Sequence, residues 1–450
     1  MTRWLRELKP TTIHDINAVV ALFRPGPMEN IPEYIKRKHN PSLIKYLDPR
    51  LKDILSNSYG VITYQDDVLL IAINLAGFTW IEADKLRKAM GKKIPAEMAA
   101  QKEKLLTGFT LKGLDKNKAE ELWRLIEPFA AYGFNKAHAA SYGKVAYQTA
   151  YMKANFPAEY MTAVLTAESG DTEKIAEIIS ECKKMNIPVL PPDINESFGK
   201  FTVIKSSKED QIRFGLYTIK NLGAEIAEAI IEERKKNGKF KSFSGFLERV
   251  RHKNLNKKSL ESLIKAGAMD SLGERRQLLF NTEEALEYNK ELVKSTNQNQ
   301  NSLFGLMQDQ SSITAFTLKE SAPAQAEEKL MWEKDLLGLY VSGHPLEKFK
   351  GRFENKNISI TKTKESMNGI SAVVAGIVES IKLINTKKGD QMCFMKIADF
   401  SDNIEVVIFP KKFTDYKNLL VADKILAVEG AVSRRNGSVS ILAEKIKELK

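Results

Sequence analysis

The chain has 450 residues, room for about three domains, and 43% apolar residues, enough for sizeable cores. Its formal net charge of +12 points mildly to a polyanionic partner, because clustered Lys and Arg attract phosphate. Two distant cysteines and five scattered histidines offer no disulfide framework and no histidine-rich metal site, and they suit a reduced, cytoplasmic setting.

The N-terminus, "MTRWLRELKPTT", lacks a signal-peptide apolar core. The longest uncharged run, Val68 to Ile81, is too short for a bilayer, which needs about 20 residues, so no membrane partner is expected. The first 290 residues read mostly as helix, with apolar positions three and four apart, as in "AEELWRLIEPF" and "TEKIAEIISECKKM". Segments 24–32 ("RPGPMENIP") and 186–195 ("NIPVLPPDIN") are proline-rich breaks.

In residues 59–77, "YGVITYQDDVLLIAINLAG", the adjacent carboxylates Asp66 and Asp67 stand behind an aromatic residue. "YQDD" matches the Tyr-x-Asp-Asp turn of reverse transcriptases, where two metal ions about 3.5–4 Å apart clamp a phosphoryl transfer. That chemistry needs a further acid from a separate strand. The upstream aspartates are Asp15, Asp48 and Asp53, and none follows a convincing strand. Downstream, Val68, Ile71, Ala72 and Leu75 share one helical face, and Gly77 suits the position after a helix. Asp66 or Asp67 would then cap free N–H groups in a first turn. The β-branched Val68, Ile71 and Ile73 keep a strand open as the alternative.

Thr79 and Glu82 have capping-box spacing and predict a helix that stops at Gly91. Arg87, Lys88, Lys92 and Lys93 place four cations around its end. They read either as a solvated face with an Asp84–Lys88 pair, or as a triphosphate grip of forked and point charges. Next comes "PFAAYGFNKAHAASYGKVAYQTAYMKANFPAEYM", residues 128–161. Asn135 is the expected N-cap of a helix ending before Pro157. Lys136 and His138 fall in its first turn, where free N–H groups would complete an anion site. Tyr132, Phe134, Tyr142, Tyr147 and Tyr151 interleave with small residues. Aromatics beside cations suit stacked bases. For Tyr147 and Tyr151, spaced four apart, a core role is preferred.

Two stretches have helix-hairpin-helix character: Ile219 to Gly223 in "LYTIKNLGAEIAEAIIEER", and Leu263 to Gly267 in "LESLIKAGAMDSLG". Such turns offer backbone N–H groups to phosphate without reading sequence, and glycine permits close approach. Lys220 and Lys265 belong to these turns. Between them runs a basic stretch of Arg234, Lys235, Lys236, Lys239, Lys241, Arg249, Arg251, Lys253, Lys257 and Lys258. A plain helical hairpin is the alternative for each turn. Residues 295–325 turn Gln-, Asn- and Ser-rich and read as a linker, with "QNSLF" (Gln300, Leu303, Phe304) exposing apolar area that a partner could bury. From about 370 the period falls to two over five short strands, which suit a small barrel of OB type. Lys382, Lys387 and Lys388 are expected on its first connecting loop, and Arg434 and Arg435 on a later one. Phe394 and Phe409 could stack bases if they face outward, with core as the preferred reading for each.

Taken in order, "LFRPGPMENIPEYIKRKH", "YGVITYQDDVL", "EADKLRKAMGKK", "YGFNKAHAASYGKVAYQTAYMKANFPAEY" and "LLGLYVSGHPLE" resemble signatures of the C family of bacterial replicative DNA polymerases, the DNA polymerase III alpha subunits. The resemblance covers nearly the whole chain and corresponds to that family's C-terminal half. It implies that "YQDDV" lies in the fingers and holds no metal, because the family's catalytic aspartates sit in a palm domain N-terminal to everything here. Palm and phosphatase-like domains are accordingly expected to be missing from this chain. The resemblance further implies that Arg87 and Lys88 contact the incoming triphosphate, with Lys88 standing where an arginine is usual. It assigns Asn135, Lys136 and His138 to nucleotide or primer–template contact. Gln300, Leu303 and Phe304 match its sliding-clamp-binding peptide, and its barrel is associated with single-stranded template.

The expected fold is multidomain and mainly α, with fingers and tandem helix-hairpin-helix units followed by a small β-barrel of OB type. The expected divisions are fingers 1–165, hairpin domain 166–290, linker with clamp motif 291–360 and barrel 361–450. The expected function is part of a DNA-directed DNA polymerase, with primer–template DNA, deoxynucleoside triphosphates, the sliding clamp and other replisome subunits as partners. Mg2+ would serve the complete polymerase, its ligands lying outside this chain, which alone should be inactive. A standalone non-catalytic DNA- and clamp-binding protein is one alternative. A reverse-transcriptase-like enzyme using Asp66 and Asp67 is the other.

Overall fold

The computed structural model describes residues 1–92, 95–127, 133–207, 209–299, 316–355, 358–386, 389–435 and 438–449. It divides into two compact units, Met1–Tyr160 and Met161–Lys450. The first unit is helical: α1 (Thr2–Leu8), α2 (Ile13–Leu22), α3 (Ile31–His39), α4 (Leu51–Leu55), α5 (Gln65–Ala76), α6 (Trp80–Lys92), α7 (Pro95–Leu111), α8 (Lys116–Ile126) and α9 (Lys136–Asn155). A further helix, α10 (Pro157–Ala167), crosses the division.

Local chemistry sets these boundaries. Gly77 takes φ 75° and ends α5, its N–H bonding Ile73 O at 3.1 Å. Thr79 N donates to Glu82 Oε2 at 2.8 Å, and Glu82 N donates to Thr79 Oγ1 at 3.3 Å. This is the expected capping box, and α6 runs on to Lys92. The Lys104 ammonium and the two Thr79 donors hold the half-buried Glu82 carboxyl down at about 2. Leu22, Ile71, Leu75, Leu86, Phe109 and Trp123 fill the core of this unit. Each contributes about 1.5–3 kcal/mol by leaving water. Helix α9 lies outside that core. Its buried residues are Ala139 and Gly143, and it rests on α2. A Cβ at Gly143 would fall 1.9 Å from Asn17 Oδ1, so glycine sets how closely the two helices approach.

The second unit opens with α11 (Thr172–Lys184) and a three-stranded sheet in the order β1-β3-β2, formed by β1 (Val189–Leu190), β2 (Thr202–Ile204) and β3 (Gln211–Arg213). Helices α12 (Ala224–Asn237), α13 (Phe243–Arg249), α14 (Lys257–Lys265), α15 (Arg275–Phe280) and α16 (Thr282–Asn299) follow. After them come α17 (Ala326–Leu337), α18 (Lys350–Asn355) and α19 (Ile360–Glu365). The chain ends in a barrel of β4 (Ser371–Asn385), β5 (Gln391–Ala398), β6 (Asn403–Ile408), α20 (Pro410–Tyr416), β7 (Ile425–Arg435) and β8 (Ser438–Glu448).

The barrel closes in the order β4-β5-β6-β8-β7. One half of β4 pairs with β7 and the other with β5, and a register shift between Val378 and Ser380 bends it round the corner. Gly376 permits the bend, since a Cβ there would lie 2.2 Å from Ala398 O. Strand β6 pairs in parallel with β8. Val374, Val378, Met395, Val406, Val428 and Ile441 fill the interior. The fold is therefore mainly helical with a terminal OB-type barrel, as the periodicity predicts. Cys182 and Cys393 are both buried thiols, and burial pushes the Cys393 thiol up to about 11. Among the described residues, no helix is long and apolar enough to cross a membrane.

Candidate nucleotide and nucleic-acid interface

The carboxylates of "YQDD" serve the backbone. Asp67 is the third residue of α5, and its Oδ2 accepts from Thr63 N and Tyr64 N, both at 2.9 Å. Burial pushes its carboxyl up to about 6, against the pull of those two N–H donors and the Lys136 ammonium. Asp66 reaches across the unit and accepts from Lys136 N, at the start of α9, at 2.8 Å. The upstream acids are engaged as well. Asp15 is fully buried and takes hydrogen bonds from Thr11 N, Thr12 N, Tyr59 Oη and Tyr34 Oη, with the Lys38 ammonium at 3.4 Å. Asp48 accepts from Arg50 N, Nε and Nη2. Among the described residues, no three His, Cys, Asp or Glu are placed to hold a metal ion.

The start of α9 gathers cations and rings. Asn135 caps it, accepting from His138 N at 2.9 Å. Asp66 and Asn135 thus occupy two of the N–H groups expected to be free, and any anion grip there falls to side chains. Lys136 Nζ lies 5.7 Å from the Tyr64 ring centroid. The His138 ring lies 5.2 Å from Phe134 and 4.6 Å from Tyr142. Arg24, from the "RPGP" loop, stacks its guanidinium over Phe134 at 4.1 Å and is exposed. The sequence reading missed Arg24. The loop itself was visible, but its approach to residue 134 is a tertiary contact.

Arg87 and Lys88 lie on α6 and converge on one carboxylate. Arg87 Nη2 is 2.7 Å from Asp84 Oδ1, and Lys88 Nζ is 2.8 Å from Asp84 Oδ2. The two cations hold the Asp84 carboxyl below its usual range. Among the described residues, no hydrogen bond or ion pair links this group to the cations at the start of α9. Lys92 ends α6, and Lys93 lies outside the described residues.

The two hairpins differ. Gly223 is the exposed N-cap of α12, with φ −69°, no side-chain cap, and open space where a Cβ would stand. The element before it is a short 3-10 turn, Leu216–Thr218, rather than a full helix. Lys220 is exposed beside it. Gly267, by contrast, is buried at φ 81°, its N–H bonding Ile264 O at 3.0 Å. Ala268 N closes the cap onto Leu263 O at 3.0 Å, and a Cβ on Gly267 would strike Arg275. Gly267 follows the C-cap residue Ala266, and its buried N–H is already engaged and not free for phosphate, which corrects the expectation for that group. Lys265 pairs with Glu261 at 3.0 Å.

The basic run separates into supporting and exposed members. Arg234 is buried and donates to Ile194 O and Ser197 O. Arg249 bonds Glu233 and Gly238 O. Lys235, Lys236, Lys239 and Lys241 are exposed, with Lys239 3.7 Å from Glu196.

On the barrel, Lys382 lies on β4 rather than on a loop, and Lys387 and Lys388 lie outside the described residues. Arg434 is held by Ser366 O at 2.9 Å, whereas Arg435 is exposed at the end of β7. Phe409 is 45% exposed, which corrects its core reading, and Phe394 is half-buried. Gln300, Leu303 and Phe304 lie outside the described residues.

Comparison with known proteins accounts for this assembly. The family model for the finger domain of the bacterial DNA polymerase III alpha subunit matches residues 1–113. A helix-hairpin-helix motif matches 186–279, and an OB-fold nucleic acid binding domain matches 372–449. DNA polymerase III subunit alpha of Borreliella burgdorferi is 41% identical over 99% of this chain and 39% of its own length. The Thermus aquaticus subunit is 37% identical over 99% of this chain and 36% of its own, and that of Deinococcus radiodurans 38% over 98% and 34%. The chain thus spans under two fifths of the length of these relatives. With three domains matched in order and similarity running end to end, the chain belongs to the family of bacterial DNA polymerase III alpha subunits.

Proposed function

We propose that this chain is the substrate- and DNA-holding part of a replicative DNA-directed DNA polymerase. Its helical unit would grip the incoming deoxynucleoside triphosphate, its exposed hairpin would hold primer–template duplex, and its barrel would bind single-stranded template. Residues 300–304 would tether it to the sliding clamp, with other replisome subunits as further partners. The observation that carries this reading is the start of α9, where Arg24 stacks on Phe134, His138 lies against Phe134 and Tyr142, and Lys136 lies by the Tyr64 ring. Cations beside aromatic faces suit a phosphate joined to a base. Arg87 and Lys88 on α6 would neutralise triphosphate charge once released from Asp84.

The parent reaction uses divalent metal, and the residues described here do not fit it. Asp66 and Asp67 each give an oxygen to backbone N–H groups, so the Mg2+ of the proposed reaction is assigned to carboxylates other than these. The reverse-transcriptase-like reading has no support in this geometry.

Fluorescence anisotropy with a labelled primer–template tests the proposal. The chain should bind at low salt, weaken steeply as salt rises, and add no nucleotide when magnesium and triphosphates are supplied. Absence of binding at low salt would defeat the proposal. Primer extension by the chain alone would defeat the assignment of the metal elsewhere.

A further inference from the structure

Helix α9 has no acidic residue, and its solvent face is unusually rich in rings. Residues 128–158 contain neither Asp nor Glu, although at 57 acids in 450 residues a stretch this long would hold about four. Beyond Gly143 the helix buries no residue, and Tyr147 and Tyr151 are 53% and 49% exposed. This overturns the core reading of the two tyrosines. Their rings lie 6.3 Å apart, tilted by 37°. At about 100° per residue, Lys136, Lys144, Tyr147 and Tyr151 fall within about 80° of one another around the helix axis. They extend over about 22 Å at about 1.5 Å per residue. Lys144 is exposed and has no ion-pair partner among the described residues.

We propose that this face of α9 is a track for one strand of nucleic acid, with bases stacking on Tyr147 and Tyr151 and phosphates passing Lys136 and Lys144. The inference rests on the DNA-binding reading above and adds a surface separate from barrel and hairpins. Three properties favour a nucleic-acid strand over a protein partner. The face is uniformly cationic, which complements a phosphate chain. Its rings are tyrosines flanked by Gln148 and Asn155, while the exposed apolar Val145, Met152 and Phe156 lie about 100° or more further round the helix. Stacking on rings tolerates any base, as a moving template requires.

The test is photo-crosslinking of the full chain to a single-stranded oligodeoxynucleotide carrying 5-iodouracil. Trypsin would then release residues 145–153 as one peptide containing both tyrosines. Crosslinks are expected in that peptide and should vanish in Tyr147→Leu/Tyr151→Leu. That variant should keep its circular dichroism, since both side chains are exposed and leucine favours helix. Lys144→Glu should lower the yield at least several-fold at moderate salt. If the wild-type chain binds the oligonucleotide but crosslinks map only to residues 220–258 or 371–449, the track is refuted while DNA binding stands. If no DNA binds at all, both fall. Sedimentation velocity supplies the other arm. Self-association abolished by the double leucine variant would mark this face as a protein interface and overturn the proposal.

Discussion

Asp67→Ala separates a cap from a metal ligand. The side chain accepts two N–H groups, from Thr63 and Tyr64, whose residues are 1% and 6% exposed. Truncation leaves both donors buried without a partner. At about 2 kcal/mol each, that costs about 4 kcal/mol. An opposing effect comes from ionisation. Folding raises this carboxyl from 3.8 to about 6, so the stability linked to its proton is full below about pH 4 and is lost as pH rises through 6. At pH 7.5 the wild type bears about 3 kcal/mol of this penalty, which alanine removes. The net cost of Asp67→Ala is therefore about 1 kcal/mol at pH 7.5 and about 2–3 kcal/mol at pH 5. Asp67→Asn keeps an acceptor without the charge and should equal or exceed wild type at pH 7.5. Urea denaturation followed by tryptophan fluorescence in a Trp332→Phe background reads the first unit through Trp4, Trp80 and Trp123. A metal ligand would behave in the opposite way. Loss of divalent-ion binding in Asp67→Ala, with stability unchanged at both pH values, would refute the argument.

Gly143→Ala should push α9 off α2, because the new Cβ would meet Asn17 Oδ1 at 1.9 Å. A loss of about 1–3 kcal/mol in the same denaturation experiment is expected. Glu333→Ala should destabilise the second unit by about 3 kcal/mol, read by calorimetry, because Arg275 loses a buried partner and Val341 and Ser342 lose their N–H acceptor. Replacing Lys235, Lys236 and Lys241 together by alanine should flatten the log–log salt dependence of duplex binding by about 0.9 per phosphate contact removed. An unchanged slope would place the duplex elsewhere.

Local chemistry is legible in the sequence. Gly77, the Thr79–Glu82 box and the Asn135 cap act within a few residues of themselves, so composition and spacing suffice to place them. The five barrel strands were readable for the same reason, their period being a property of each strand alone. What escaped is tertiary. Asp66 caps a helix 70 positions away, and no pattern near residue 66 names that partner. Arg234 and Gly267 looked like phosphate-binding residues because basic and glycine-rich turns share a composition with helix ends. Only the carbonyls around Arg234 and the Arg275 side chain above Gly267 show them engaged. Tyr147 and Tyr151 looked like core because i,i+4 rings usually are. Their exposure follows from where α9 meets α2, which depends on Gly143.

Helix α17 joins the parts of the second unit proposed above to hold duplex and single strand. Glu333 and Lys334 are neighbours, so they leave the helix about 100° apart. Glu333, fully buried, takes Arg275 Nη2 at 2.9 Å and thereby fastens the α14–α15 turn. Lys334 pairs with Asp423, in the connection that enters β7, and Tyr340 Oη donates to the same carboxylate at 3.3 Å. Three residues after Glu333, Leu336 O accepts from Lys220 N at 3.0 Å and anchors the exposed hairpin. One short helix thus bonds both hairpin turns and the barrel. A buried ion pair is a weak source of stability, because desolvation offsets most of its attraction. It is a stringent source of geometry, because either partner alone is strongly unfavourable. The placement of Glu333 therefore makes more sense as a means of fixing hairpin against barrel than as a means of raising stability.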